Sequence, residues 1–175
     1  NPSASMSIIK HKAQRVAVLI DAQNMYHSAK HLYNARVNFK ELLKAAGAGR
    51  ELVRATGYVI RTESGEEKPF LEALTKTGIE TPLKDLQIFP GGAKKADWDV
   101  GMAVDAVRFA EGPIDVIALV TGDGDFIPLV EYLKAKGKQV EVLAFGRSTS
   151  QRLKEVADDF IDLGLEQRKY LMRIK

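Results

Sequence analysis

One stretch, residues 116–126, restricts the possible folds of this chain more than any other. It opens with an unbroken apolar run of strand length and ends in Gly-Asp-Gly-Asp at positions 122–125. A strand that is apolar at every position is typical of a parallel sheet covered on both faces. Ligands of such open sheets lie beyond the carboxyl ends of the strands, which is where these two carboxylates stand. The stretch therefore predicts an α/β fold with an acidic site at one edge of its sheet.

Strands and helices are predicted to alternate along the rest of the chain. The predicted strands cover residues 16–20, 52–61, 83–89, 116–120, 139–145 and 160–163. The predicted helices cover residues 25–32, 39–46, 68–77, 98–110, 126–136 and 149–157. Asp97 is the expected N-cap of the fourth helix and Ser148 that of the last. Because helices that separate strands form βαβ units, we predict a three-layer α/β domain whose mainly parallel sheet carries helices on both faces.

Composition narrows the class of protein without identifying it. The chain has 175 residues, 45% hydrophobic and 28% charged, as is usual for one globular domain. We predict that domain over residues 15–163, after a disordered lead or expression remnant at 1–14 and before a basic helix at 164–175. The absence of cysteine excludes disulfides, thiolate zinc sites and cysteine nucleophiles, and it fits a cytoplasmic location. No apolar run approaches the roughly 20 residues that would cross a membrane.

Four acids from three segments are the candidate catalytic and metal-binding residues. Asp21 follows the first predicted strand, Asp123 and Asp125 follow the strand at 116–120, and Asp99 lies in the first turn of a helix. Helix capping is the alternative for Asp21 and Asp125, and the helix dipole is the alternative for Asp99. The glycines at 122 and 124 permit tight backbone turns and the close approach of a ligand. A cluster of carboxylate oxygens favours Mg²⁺ or Mn²⁺ over zinc, and the chemistry of such ions suits phosphodiester hydrolysis.

Polar residues beside these acids are candidate substrate contacts. Asn24 could orient a substrate or support Asp21, with helix capping as its alternative. Thr121 could offer its hydroxyl to a phosphate or a metal, with strand packing as its alternative. Asp105 lies about 120° around the helix from Asp99, so direct contact with the same metal is less favoured on helix geometry alone.

Basic residues and histidines mark candidate surfaces away from the acids. Lys94, Lys95 and Arg147 could hold the phosphate backbone of RNA, and the net charge of +3 favours such a partner about as well as it fits a solvated surface. His27 and His31 share a helix face without the glutamate of a zinc-protease motif, so they are predicted to be surface residues. This pair and the C-terminal helix are the candidate surfaces for a homodimer.

Several motifs, in this order and spacing, resemble the NYN domain family, and more narrowly its LabA-like (DUF88) branch. They are Leu-Ile-Asp-Ala-Gln-Asn at 19–24, Asp-Val-Gly-Met-Ala-Val-Asp at 99–105, Val-Thr-Gly-Asp-Gly-Asp-Phe-Ile-Pro-Leu at 120–129 and the segment 150–163. The resemblance covers about residues 15–163, nearly the whole predicted domain. It implies a doubly wound, PIN-like and Rossmann-like sheet, a Mg²⁺ or Mn²⁺ site and ribonuclease activity.

The resemblance also implies roles for individual residues. Carried over by motif, Asp21, Asp99, Asp123 and Asp125 form the acidic site, with Asn24 and Thr121 beside it, and Asp105 also matches a family position. Many relatives carry a lysine and a glycine shortly before the acid that matches Asp99, whereas Lys-Ala-Asp-Trp precedes it here. Asp97 is therefore an alternative at that position.

Three functions are compatible with these observations. The first is a metal-dependent ribonuclease, for which the matched acids are all present. The second is a non-catalytic module that binds RNA or a nucleotide on the same fold. The third is a small-molecule phosphohydrolase, which is less favoured because no Asp-x-Asp pair follows the first predicted strand.

Overall fold

A central sheet of six parallel strands organises the protein. The computed structural model describes residues 8–65, 67–85, 87–88, 94–95 and 99–173. The strands of the central sheet are β1 (Arg15–Asp21), β3 (Glu51–Arg61), β4 (Leu83–Asp85), β7 (Val116–Val120), β8 (Gln139–Ala144) and β9 (Asp159–Asp162). Four shorter strands form two antiparallel pairs, β2 (Ala35–Val37) with β10 (Leu171–Arg173), and β5 (Gln87–Ile88) with β6 (Lys94–Lys95).

The strand order makes the fold doubly wound, as predicted. The order is β4-β3-β1-β7-β8-β9, and every neighbouring pair is parallel. The chain therefore builds outward from β1 in one direction, returns to β7 at the centre and builds outward in the other. Strands β1 and β7 flank this switch point, and Ile20 pairs with Val120 at their carboxyl ends. Ligands of doubly wound sheets bind at such a point.

Helices cover both faces of the sheet. They are α1 (Ala22–Tyr33), α2 (Phe39–Gly47), α3 (Lys68–Lys76), α4 (Asp99–Glu111), α5 (Ile127–Ala135), α6 (Gln151–Val156) and α7 (Gln167–Tyr170). Since successive strand residues point to opposite faces, Val18 packs with α1–α3 in one core whereas Leu19 packs with α4–α6 in the other. Among the described residues, no helix is long and apolar enough to cross a membrane.

Two predicted helix starts differ from the structure. Ser150 caps α6, rather than Ser148, because its hydroxyl accepts a hydrogen bond from the Leu153 amide at 3.3 Å. The helix predicted over 126–136 begins instead as a 3-10 turn, Gly124–Phe126, that leads into α5. Asp123, rather than Asp125, caps this turn. The predicted cap Asp97 lies outside the described residues.

The C-terminal segment is not the single basic helix predicted over 164–175. A 3-10 turn, Leu163–Glu166, leads into the single turn of α7, and β10 then pairs with β2. Tyr170 is buried, and its carbonyl accepts a hydrogen bond from the Asn38 amide at 2.8 Å. The backbone groups of residues 171–173 thus form hydrogen bonds with the free edge of β2 rather than within further helical turns. At the other end of the chain, in the predicted disordered lead, Lys10 Nζ lies 3.0 Å from Asp159.

Candidate functional site

Three carboxylates converge at the switch point of the sheet. Asp21 ends β1, Asp123 follows β7, and Asp99 begins α4. One oxygen from each lies within 4.8 Å of the other two, and all three side chains are partly buried. Three oxygen ligands at these separations, carrying three negative charges, fit a single hard divalent cation. The three acids could therefore hold a divalent metal ion.

Thr121 connects the ends of the two central strands. Its hydroxyl donates a hydrogen bond to Asp21 Oδ2 at 3.0 Å and accepts one from the Asp123 amide at 3.2 Å. The residue is fully buried. This hydroxyl was a candidate contact for phosphate or metal, and in the structure its two hydrogen bonds join Asp21 to the Asp123 backbone.

Asn24 fixes the site from α1. Its backbone amide donates a hydrogen bond to Asp21 Oδ1 at 3.1 Å, and its side-chain Oδ1 accepts one from the Gly122 backbone amide at 3.0 Å. The start of α1 is therefore tied to the loop after β7. The backbone amide of Asp125 donates a hydrogen bond to Asp123 Oδ1 at 2.8 Å. The Asp125 carboxylate lies outside the group of three converging acids.

Asp105 makes a different contact. Tyr58 Oη donates a hydrogen bond to Asp105 Oδ2 at 2.7 Å, which joins β3 to α4. Burial, reinforced by this carboxylate, raises the pKa of Tyr58 above its ordinary value, so the phenol stays protonated. Asp105 is not one of the three converging acids, in agreement with its angular offset from Asp99 on the helix.

An open cleft of about 390 Å³ lies above the three acids. It is lined by Asp21, Gln23, Asn24, His27, Ser28, Tyr58, Ile60, Asp99, Asp123 and Asp125. His27 was predicted to be a surface residue, and it is exposed, but its ring also faces this cleft with Nε2 3.0 Å from Gln23 Nε2. The sequence held a signal for Gln23 and His27, because they lie four residues apart at the start of the helix that follows Asp21.

Of the three predicted basic contacts, the structure describes the side chain of Arg147. Arg147 lies in a 3-10 turn, Gly146–Ser148, after β8, on the same edge of the sheet as the acids. Its guanidinium is exposed, 6.0 Å from the centre of the Tyr33 ring, and is not among the residues that line the cleft. Lys94 and Lys95 form β6, but their side chains, like all of Asp97, lie outside the described part of the chain.

Gly122 is required by the chain itself rather than by a ligand. A Cβ atom at this position would lie 2.8 Å from the Ser148 carbonyl oxygen and 2.8 Å from Thr149 Oγ1. The glycines at 122 and 124 were expected to permit tight backbone turns and the close approach of a ligand, and in the structure residues 148–150 approach them closely.

Gly122→Ala should destabilise the protein by about 1–3 kcal/mol because the loop at 148–149 must move to admit the methyl group. The measurement is urea unfolding followed by circular dichroism. Gly47→Ala is the matched control, since among the described residues its added Cβ would meet no heavy atom within 4 Å outside its own helix and chain neighbours. The stability of this variant should be unchanged or slightly higher. Equal stability of the two variants would contradict this account of Gly122.

Comparisons with known proteins identify a family that this chain matches. The sequence profile of the NYN domain matches residues 15–166. Uncharacterized protein MJ0482 of Methanocaldococcus jannaschii is 32% identical over 153 residues, which are 87% of this chain and 56% of that protein. The chain thus spans little more than half the length of this archaeal relative.

Two further relatives match over most of their own length. Low amplitude and bright protein LabA of Synechococcus elongatus is 26% identical over 167 residues, covering 87% of this chain and 85% of LabA. The crystal structure of VPA0982 from Vibrio parahaemolyticus, a protein of unknown function, superposes with a TM-score of 0.81 and 32% identity. That match covers 94% of this chain and 100% of the Vibrio chain.

Proposed function

This chain belongs to the NYN domain family, as its motifs predicted, and on that premise we propose that it is a metal-dependent ribonuclease. The observation that carries the proposal is the convergence of Asp21, Asp99 and Asp123 within 4.8 Å at the switch point of the sheet. Three like charges repel one another, so a cation is the simplest group to stabilise them. Mg²⁺ or Mn²⁺ bound there would supply an activated water and neutralise charge on phosphate oxygens.

The protein's own residues would position the substrate. Asp21, Asp99 and Asp123 hold the metal, and the hydrogen bonds of Asn24 and Thr121 keep Asp21 and Asp123 in place. Asp125 lines the cleft and can accept a hydrogen bond from a ribose hydroxyl or a bound water. His27 and Gln23, which line the cleft from α1, offer hydrogen bonds to the substrate. We assign contacts with the phosphate backbone of RNA to Lys94, Lys95 and Arg147.

An apolar groove beside the acids supports a polymer rather than a small phosphate ester as substrate. The groove, about 380 Å³, continues from Asp99 and Asp125 between α4 and α5. Phe126 and the half-exposed Tyr132 lie among its apolar walls. Unpaired bases stack on such aromatic surfaces, so a single strand could place a phosphate at the acids and a base in the groove.

The test is cleavage of end-labelled RNA in Mg²⁺, Mn²⁺ or EDTA. We expect RNA cleavage with either metal, loss of cleavage in EDTA and its return when metal is added in excess. DNA of the same sequence and a small aryl phosphate, run in parallel, separate a ribonuclease from the other phosphate-ester hydrolases.

Two outcomes would overturn the proposal. Salt-dependent RNA binding without cleavage of any of several RNAs would identify a non-catalytic binding module. Turnover of the aryl phosphate without RNA cleavage would identify a small-molecule phosphohydrolase.

A further inference from the structure

A second pocket, about 340 Å³, lies against another face of α1. Helix α3 and strand β2 form its other walls, and Met172 of β10 reaches its rim. It shares no lining residue with the acidic cleft. The two are close along α1, since Asn24 of the cleft and Lys30 of the pocket are separated by only ~9 Å of helix rise.

Aromatic rings form the walls of this pocket. The rings of Tyr26 and Phe70 have centroids 5.1 Å apart and are tilted by 34°. Phe39 and Phe70 are almost fully buried, so the core holds both rings in place. A preformed aromatic slot of this size is typical of sites for small planar ligands.

The rim of the pocket is positively charged. Lys30 and Arg36 are both exposed there, and among the described residues no aspartate or glutamate lines the pocket. Lys30 Nζ lies 3.5 Å from Tyr26 Oη and 5.6 Å from the centre of its ring. Within the part of the chain that the structure describes, neither cation forms a salt bridge, so both are available to an anion.

We propose that this pocket binds a nucleotide. The base would lie against Tyr26 and Phe70, and the phosphate would face Lys30 and Arg36. Aromatic walls select the planar base, and two unpaired cations select the phosphate. The same chemistry is offered by a free mononucleotide and by an unpaired nucleotide of an RNA strand, and the short distance along α1 lets one strand reach both sites.

Calorimetric titration tests the site without any need for cleavage. The full chain, in EDTA, is titrated with the four ribonucleoside monophosphates, with inorganic phosphate and with a single-stranded oligoribonucleotide. We expect Lys30→Ala combined with Arg36→Ala to weaken nucleotide binding at least about tenfold, because two charge-assisted hydrogen bonds are lost. Tyr26→Leu should weaken it about fivefold or more through lost stacking.

A matched control makes the same kind of change elsewhere. Lys40→Ala lies on the exposed side of α2, outside the pocket, and should leave mononucleotide affinity within about twofold of wild type, the usual effect of a surface change. Binding of monophosphates assigns the pocket to a free nucleotide. Binding of the oligoribonucleotide alone, weakened by the pocket variants, assigns it to an RNA strand.

Three results would overturn the proposal. They are inorganic phosphate that competes as well as a nucleotide, no binding of any probe at millimolar concentration, and oligoribonucleotide binding that the pocket variants leave unchanged. Since Asp123 lies outside this pocket, Asp123→Asn should retain nucleotide binding here. Failure of the nuclease assay and failure of this site are therefore separate results.

Discussion

Asp123→Asn should reduce metal-dependent RNA cleavage by at least about 100-fold while the fold stays intact. The asparagine retains an Oδ1 that can accept the Asp125 amide hydrogen, which lies 2.8 Å from Asp123 Oδ1 in the wild type. It lacks the negative charge and the strong oxygen donor that a hard cation requires. The measurement is the initial rate of cleavage of end-labelled RNA in saturating Mn²⁺.

The stability of the same variant separates loss of metal from loss of structure. In EDTA the three carboxylates repel one another, so removal of one charge should leave the melting temperature unchanged or higher. Added Mn²⁺ should raise the melting temperature of the wild type and raise that of Asp123→Asn much less, because ligands stabilise only the state that binds them. Differential scanning fluorimetry with and without Mn²⁺ measures both effects.

Asp159→Asn is the control for this experiment. Asp159 begins β9, so it lies at the end of the sheet opposite the acids, with its carboxylate 3.0 Å from Lys10 Nζ. The same chemical change there should leave the cleavage rate within about twofold of wild type, as for most surface changes. Wild-type activity in Asp123→Asn would remove that carboxylate from the proposed catalytic centre.

The central part of the fold was predictable because local pattern and general topology agree there. The runs at 16–20 and 116–120 are apolar throughout, and such runs become strands buried on both faces. Once two parallel strands are predicted, their carboxyl ends must share one edge. Asp21 and Asp123 could therefore be placed together without knowledge of any long-range contact.

The contacts that hold the site depended on register, which the sequence does not show. Thr121 reaches Asp21 only because Ile20 pairs with Val120. The same limit applies to the C-terminal segment, because the local pattern predicted a helix that includes residues 171–173. They form a strand because β2, far earlier in the chain, offers them an edge.

A buried ion pair was missed for the same reason. Glu141 lies in the predicted strand at 139–145, where an isolated glutamate suggests a solvent-facing position. In the structure it is fully buried, and both of its oxygens accept hydrogen bonds from Arg50, at 2.8 and 2.9 Å. Arg50 also donates to the Ala46 and Gly47 carbonyl oxygens at 3.1 and 3.0 Å. Its partner is 91 residues away, so no local pattern reveals the pair.

Arg50→Met should destabilise the protein by about 3–5 kcal/mol, because Glu141 then stays buried without its guanidinium partner and, among the described residues, keeps only Lys10, with Nζ 3.9 Å from Glu141 Oε1, as a nearby cation. The double variant, Arg50→Met with Glu141→Leu, should recover much of that loss, since two apolar side chains replace both charges. Urea unfolding of the two single variants and the double variant measures the coupling. A double variant whose loss equals the sum of the single losses would contradict this interpretation.

An exposed pair of the same geometry is the control, and pH gives an independent check. Arg54 binds both oxygens of Glu80 at 3.0 and 3.1 Å, but about half of each side chain is exposed, so Glu80→Gln should cost at most about 1 kcal/mol.

Burial opposes the charge on Glu141, but hydrogen bonds from Arg50 and Gln139 outweigh it, and the pKa of Glu141 lies below its ordinary 4.5. The stabilisation is therefore complete above pH 4.5 and is lost as the pH falls through the folded-state pKa of Glu141. Glu141→Gln should therefore flatten the acid limb of the curve of unfolding free energy against pH.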